Sequence, residues 1–189
     1  MKVLLMGNGS SVLEYEYGTL IYSKFDLIFR INRFRTIGFE KYAGTRTDSW
    51  ITVDYVIDWI RNQNQTDICE ASNLDILDKI SSVYIFIPEF KYDYEYDRIY
   101  NLIMDKEKYQ ILPVSIELKI NSIINFNPKW PTTGSTALQL LVDNYEDVYI
   151  HGFDFYNEKY KYYHYGDIGD ENKLTSKRID KKINQLYFF

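Results

Sequence analysis

Lys2-Val3-Leu4-Leu5-Met6-Gly7-Asn8-Gly9-Ser10-Ser11 is the stretch on which the reading turns. Its first five residues form a short apolar run, the pattern of a strand buried on both faces. The run meets Gly7-Asn8-Gly9 too soon to be a signal peptide. A helix is expected to follow over Ser11–Tyr22. Strand, glycine loop and helix make a phosphate-cradle layout, in which glycines let an anion approach the backbone and the helix N-terminus offers free N–H groups. A dinucleotide fingerprint would need a third glycine where Val12 stands, and an acidic residue closing the second strand, which instead ends Arg30-Ile31-Asn32. The loop also lacks a P-loop lysine. NAD, FAD and ATP each lose a required group. Asn8 and Asn32 end two strands, where each can hydrogen-bond a nucleotide's phosphate or ribose, or simply shape a turn.

Outward from this stretch, short apolar runs alternate with amphipathic ones, the mark of an α/β chain. Strands are expected at Lys2–Met6, Asp26–Ile31, Ser49–Val53, Ser82–Ile87, Gln110–Leu112 and Asp147–His151. Further helices are expected at Tyr55–Asn62, Leu74–Ile80, Tyr94–Met104, Gly134–Asp143 and Leu174–Tyr187. The fold class is Rossmann-like α/β: a mainly parallel sheet with helices on both faces, in a single domain over residues 1–189. Ligands of such sheets bind beyond the carboxyl ends of the strands. Gly7–Ser11, Arg30–Phe34 and His151–Tyr156 should therefore meet, joined by the loop before the Gly134 helix.

Composition narrows the partners. The 189 residues carry a net charge of −5, and no Lys/Arg cluster forms a phosphate-tracking patch, which argues against nucleic acid. Nineteen tyrosines offer flat surfaces with a hydroxyl handle, suited to sugars and nucleosides, although they also fit a proteome rich in Lys, Ile, Asn and Tyr. Cys69 is the single cysteine, so no internal disulfide forms and a reducing, cytoplasmic setting is expected. No apolar run approaches the roughly 20 residues that cross a bilayer, which leaves room for peripheral membrane association. The oligomeric state is not legible.

A second loop, Pro131-Thr132-Thr133-Gly134-Ser135-Thr136, precedes the apolar helix Ala137-Leu138-Gln139-Leu140-Leu141. Thr or Ser caps that helix, and Gly134 also permits a ligand close to the backbone. The last strand then runs into His151-Gly152-Phe153-Asp154-Phe155-Tyr156.

Together these pieces resemble a family. Gly7-Asn8-Gly9-Ser10, Tyr17-Gly18, Phe25-Asp26, Arg30-Ile31-Asn32-Arg33 and Gly38-Phe39-Glu40-Lys41-Tyr42-Ala43-Gly44-Thr45-Arg46-Thr47 are similar, in order and spacing, to the long sialyl motif of the eukaryotic-type sialyltransferases. Pro131-Thr132-Thr133-Gly134-Ser135 with Tyr149-Ile150-His151-Gly152-Phe153-Asp154 resembles their short sialyl motif. The Asp154-Phe155-Tyr156 ending is similar to the smaller bacterial sialyltransferases. The resemblance implies a CMP-activated sialic acid donor and a glycan or glycolipid acceptor. It implies donor contacts from Asn8, Gly9, Ser10, Asn32, Thr133, Gly134 and Ser135, and departing-phosphate contacts from Tyr156 with Tyr162 or Tyr163. The paired cysteines that join the two motifs in secreted relatives are missing, as is the very short motif, a His followed five residues later by Glu.

Transfer needs a base for the acceptor hydroxyl. His164, in Tyr162-Tyr163-His164-Tyr165-Gly166-Asp167, suits that task near neutral pH, with Asp167 or Asp170 to orient it. The same segment partly matches the aromatic stretch upstream of the family's catalytic histidine; on that reading the chain is an inactive CMP- or sugar-nucleotide-binding module. His151 ends a strand as pocket floor or as a satisfied core residue. No metal or cofactor is called for, since departing CMP carries less charge than a diphosphate and can be stabilised by tyrosine hydroxyls and backbone N–H groups. Asp93-Tyr94-Glu95-Tyr96-Asp97 reads as a helix start rather than a metal motif, because carboxylates two residues apart diverge around a helix.

Overall fold

The computed structural model describes residues 1–55, 77–103, 107–124 and 131–155. Its six strands are β1 (Lys2–Met6), β2 (Leu27–Ile31), β3 (Ser49–Val53), β4 (Ser82–Phe86), β5 (Tyr109–Ile111) and β6 (Asp147–His151). Every neighbouring pair is parallel, and the order is β5-β4-β3-β2-β1-β6. The chain winds outward from β1 to β5, then returns past β1 to β6. The winding reverses between β1 and β6, the kind of point where open α/β sheets bind ligands.

Side chains alternate across a strand, so each one serves two layers. Val3, Leu5, Phe29 and Ile31 join the larger core, with Ala137 and Leu141 of helix α5 (Thr133–Asn144). Leu4, Met6 and Ile28 face the other layer, against Val12 of a 3-10 turn (Ser10–Glu14), Ile21 of α1 (Gly18–Lys24) and Ala43 of α2 (Glu40–Ala43). Helices thus cover both faces, as the sequence indicates. Helix α4 (Ser115–Ile124) packs beside α5.

The strands fall within a residue of expectation because buried parallel strands are written as plain apolar runs. The helices differ more. The expected helix over Ser11–Tyr22 is a 3-10 turn, an extended Tyr15 (φ −140°) and then α1. Two contacts fix the ends of these pieces. Ser11 N–H is turned toward Asp154, and α1 begins where Gly18 lies so close on α2 that a methyl there would stand 2.0 Å from the Glu40 carbonyl oxygen. Helix α3 (Tyr92–Leu102) starts two residues before the expected Tyr94, following a 3-10 turn at Glu89–Lys91. Asp93 and Glu95 lie in its first turn, where carboxylates suit the helix dipole, and Glu95 accepts from Arg98 Nε at 2.7 Å. Helices α2 and α4 were not anticipated. The expected helix Leu174–Tyr187, and all of Tyr55–Asn62 and Leu74–Ile80 except Tyr55 and residues 77–80, lie outside the described residues.

Much of the long motif has a structural task. Arg30, 1% exposed, donates from Nη2 to the carbonyls of Ala43 (2.7 Å) and Arg46 (3.2 Å), and from Nε to Thr47 Oγ1 (2.9 Å). A buried guanidinium left without such acceptors would be strongly destabilising. Arg46 in turn pairs with Asp48 at 2.9 Å, and Asp48 accepts the Ile28 N–H at 2.8 Å. This clasp ties β2 to the segment that leads into β3.

Candidate functional site

Beyond the carboxyl ends of β1, β2 and β6, the three expected segments meet. The β1–β6 ladder continues past both strands: Gly7 N–H donates to His151 O at 2.7 Å, and Gly9 N–H to Gly152 O at 2.8 Å. The backbones are so close that a methyl on Gly7 would stand 2.3 Å from Gly152 O. Gly152 turns through φ +75°, which favours glycine. Asn8, 7% exposed, donates from Nδ2 to Ile31 O at 2.9 Å and ties the first loop to the end of β2. Asn32 turns the chain there through φ +47°; its N–H donates to Ile51 O (2.9 Å) and its carbonyl accepts Trp50 Nε1–H (2.8 Å). Asn tolerates this left-handed conformation better than most residues. Both asparagines therefore shape strand ends.

The second loop arrives from the other side. Thr132 caps α5: its Oγ1 accepts the Ser135 N–H at 3.2 Å and lies 3.0 Å from Ser135 Oγ. Thr133 and Gly134 are the first residues of the helix, where N–H groups have no carbonyl one turn back. The two loops share one ring. A methyl on Gly7 would stand 3.1 Å from Phe153 Cδ2, and one on Gly134 would stand 2.9 Å from Phe153 Cε1. Cδ2 and Cε1 lie across the ring from each other, so Phe153 separates Gly7 from Gly134. Ile31 Cδ1 also lies 3.7 Å from the Gly134 position. Phe153 thus packs against Gly134 from the β6 side.

The first loop differs from the expected phosphate cradle. Its Ser11 N–H points at the Asp154 carboxylate (3.2 Å to Oδ1), and Ser10 Oγ donates to Asp154 Oδ2 at 3.3 Å. A methyl on Gly9 would stand 2.4 Å from that same carboxylate. Asp154 had been legible only as part of a motif ending. Its partners lie more than 140 residues earlier in the chain, a distance no local pattern spans.

His151 is half-buried, not a satisfied core residue: its Nε2 is buried without a hydrogen-bond partner. Its ring lies 5.8 Å from that of Tyr17. Burial lowers its pKa below the ordinary 6.5, Arg30 adds to the lowering, and the Asp154 and Glu14 charges oppose it. Asn8, Gly9, Ser10, Asn32, Thr133, Gly134 and Ser135 are thus gathered at one end of the sheet. Tyr156, Tyr162, Tyr163, His164, Asp167 and Asp170 lie outside the described residues. No group of His, Cys, Asp and Glu suited to a metal ion occurs among the described residues, and no helix among them is long and apolar enough to cross a membrane.

An open parallel sheet with two glycine loops meeting at its winding reversal defines a Rossmann-like α/β protein. The family model for glycosyltransferase family 29 (sialyltransferase) matches residues 3–181, and the chain belongs to that family. Two solved structures share the fold. One is a mammalian sialyltransferase in complex with Gal-beta-1-3GalNAc-ortho-nitrophenol, with a TM-score of 0.62, 17% identity, and coverage of 98% of this chain and 66% of that one. The other is a mammalian sialyltransferase with a TM-score of 0.63 and the same identity and coverage. This chain therefore spans just under two-thirds of the length of those solved chains. A search of curated proteins finds no match.

Proposed function

We propose that this chain transfers sialic acid, or a related keto-sugar acid, from a CMP-activated donor to a hydroxyl of a glycan or glycolipid acceptor. One observation carries the reading: in a chain of the sialyltransferase family, two motifs more than 100 residues apart meet around Phe153 at the carboxyl end of the sheet. The donor nucleotide is assigned to Asn8 and Asn32 on one side and to Thr133, Gly134 and Ser135 on the other. Gly9 and Ser10, in the turn that carries Asn8, are assigned to the donor with it. Tyr156 with Tyr162 or Tyr163 stabilises the departing phosphate. His164, oriented by Asp167, takes the acceptor proton, and no metal is required. The reaction belongs in the cytoplasm, since Cys69 has no partner within the chain.

Calorimetric titration with CMP, UDP, GDP and NAD tests the nucleotide. CMP is expected to bind tightest, and preference for any of the others removes the reading. Release of free CMP from CMP-sialic acid tests the chemistry, with loss expected in His164→Ala. Binding of CMP without turnover, unchanged in His164→Ala, would make the chain a binding module instead.

A further inference from the structure

We propose that β6 is a self-association edge: two copies of this chain pair their β6 strands antiparallel across a two-fold axis at Tyr149, joining their six-stranded sheets. The sheet has two edges, and they are finished differently. β5 (Tyr109–Ile111) is three residues long, with Lys108 just before it and Pro113 two residues beyond it. Short strands, lysine and proline are common means of keeping an edge from pairing. β6 (Asp147–His151) has five residues and neither lysine nor proline. Its register with β1 is unbroken from Lys2↔Asp147 to Met6↔His151, so no bulge turns it away. Among the described residues no strand pairs with its outer side. Tyr149 is 45% exposed there and Ile150 43%.

The backbone of β6 fixes the register. His151 O accepts Gly7 N–H, so the backbone of His151 faces β1, and alternation along the strand puts Asp147 and Tyr149 on that side as well. Val148 and Ile150 therefore turn their N–H and C=O groups outward. With the axis at Tyr149, Val148 lies opposite Ile150 of the second copy, and the two exchange both hydrogen bonds. The symmetric pair does the same, so every outward group of Val148 and Ile150 is satisfied. The side chains agree with this register. Tyr149 meets Tyr149 at the close, non-hydrogen-bonded position, valine meets isoleucine, and Asp147 meets His151 instead of another carboxylate. An axis at Val148 would set Glu146 against Ile150, and one at Asp147 would set like charges face to face. An edge complementary to itself through a two-fold axis is what an isologous dimer needs. The glycine loops of the two copies then lie at opposite ends of the joined sheet.

Sedimentation equilibrium of the full chain tests the association. The mass should rise from 22.6 kDa toward twice that as the chain is concentrated, because pairing through one strand edge lies at the small end of protein interfaces. Tyr149→Lys and Tyr149→Glu each place like charges at the axis and should weaken the dimer at least about tenfold. Mixed in equal amounts, the two variants should recover it as a heterodimer, which a merely damaged fold would not do. Amide hydrogen exchange reads the same contact in the wild type, whatever the variants do. Val148 and Ile150 should gain protection with concentration, while Tyr149, paired with β1, stays protected throughout. A mass fixed at 22.6 kDa up to about 1 mM overturns the proposal. So does a dimer that both charged variants leave intact, or a mixture of folded variants no more associated than its parts. Protection of Val148 and Ile150 that does not change on dilution also overturns it, since another segment of the same chain would then cover the edge.

Discussion

The two glycine loops that flank Phe153 look alike in sequence and are held in opposite ways. The first is locked by backbone: Gly7 and Gly9 donate to the carbonyls at the end of β6, and Asp154 holds Ser10 and Ser11. The second is held by a side-chain cap, Thr132 to Ser135, with Gly134 against the edge of an aromatic ring. A rigid backbone contact cannot yield to an added atom, whereas a ring can tilt. The first loop is therefore framework, and the second retains the adaptability that a ligand contact needs.

That difference is broken most severely at Gly7. Gly7→Ala puts a methyl 2.3 Å from a backbone carbonyl oxygen, and overpacking against backbone should cost about 3 kcal/mol, read by urea unfolding. A cost under about 1 kcal/mol would mean that the β1–β6 junction is looser than described. Thr132→Ala removes the α5 cap and should cost about 1 kcal/mol by the same measurement, with little change at the first loop. Gly134→Ala sharpens the comparison. Its methyl meets a side-chain atom, Phe153 Cε1, at 2.9 Å, and alanine restores about 1 kcal/mol of helix propensity. Its stability should therefore change by less than about 1 kcal/mol, while CMP affinity falls, as measured by calorimetry.

The smallest effect is a pH dependence beside the first loop. The folded pKa of His151 is lowered by burial, so the unfolded chain takes up the proton first as pH falls. Its stability contribution is complete above the ordinary value of 6.5 and is lost as pH drops toward the lowered folded value. His151→Gln should flatten that part of the stability–pH profile. An unchanged profile would place the imidazole in water.

Most of the fold was legible, because β1 to β4 are largely apolar runs inside the sheet, and a strand buried on both faces needs little else. What escaped reading was tertiary. The 3-10 turn begins against Asp154 and α1 begins against Glu40, neither of which is near in sequence. Helix α4 carries Ile116 and Ile120 four residues apart, both buried; that periodic signal was present and not taken up. Within the site, the meeting of loops was readable from strand ends. The reason for each glycine was not: Gly7 and Gly9 make room for Gly152 and Asp154, and Gly134 for Phe153. A glycine near a strand end says that something comes close, and only coordinates say what.

A crystal of the full chain soaked with CMP tests the central claim most directly. The nucleotide should lie beyond the ends of β1 and β2, with Asn8 and Asn32 on one side and Thr133–Ser135 on the other. CMP bound elsewhere, or contacting only one of the two loops, would contradict the account.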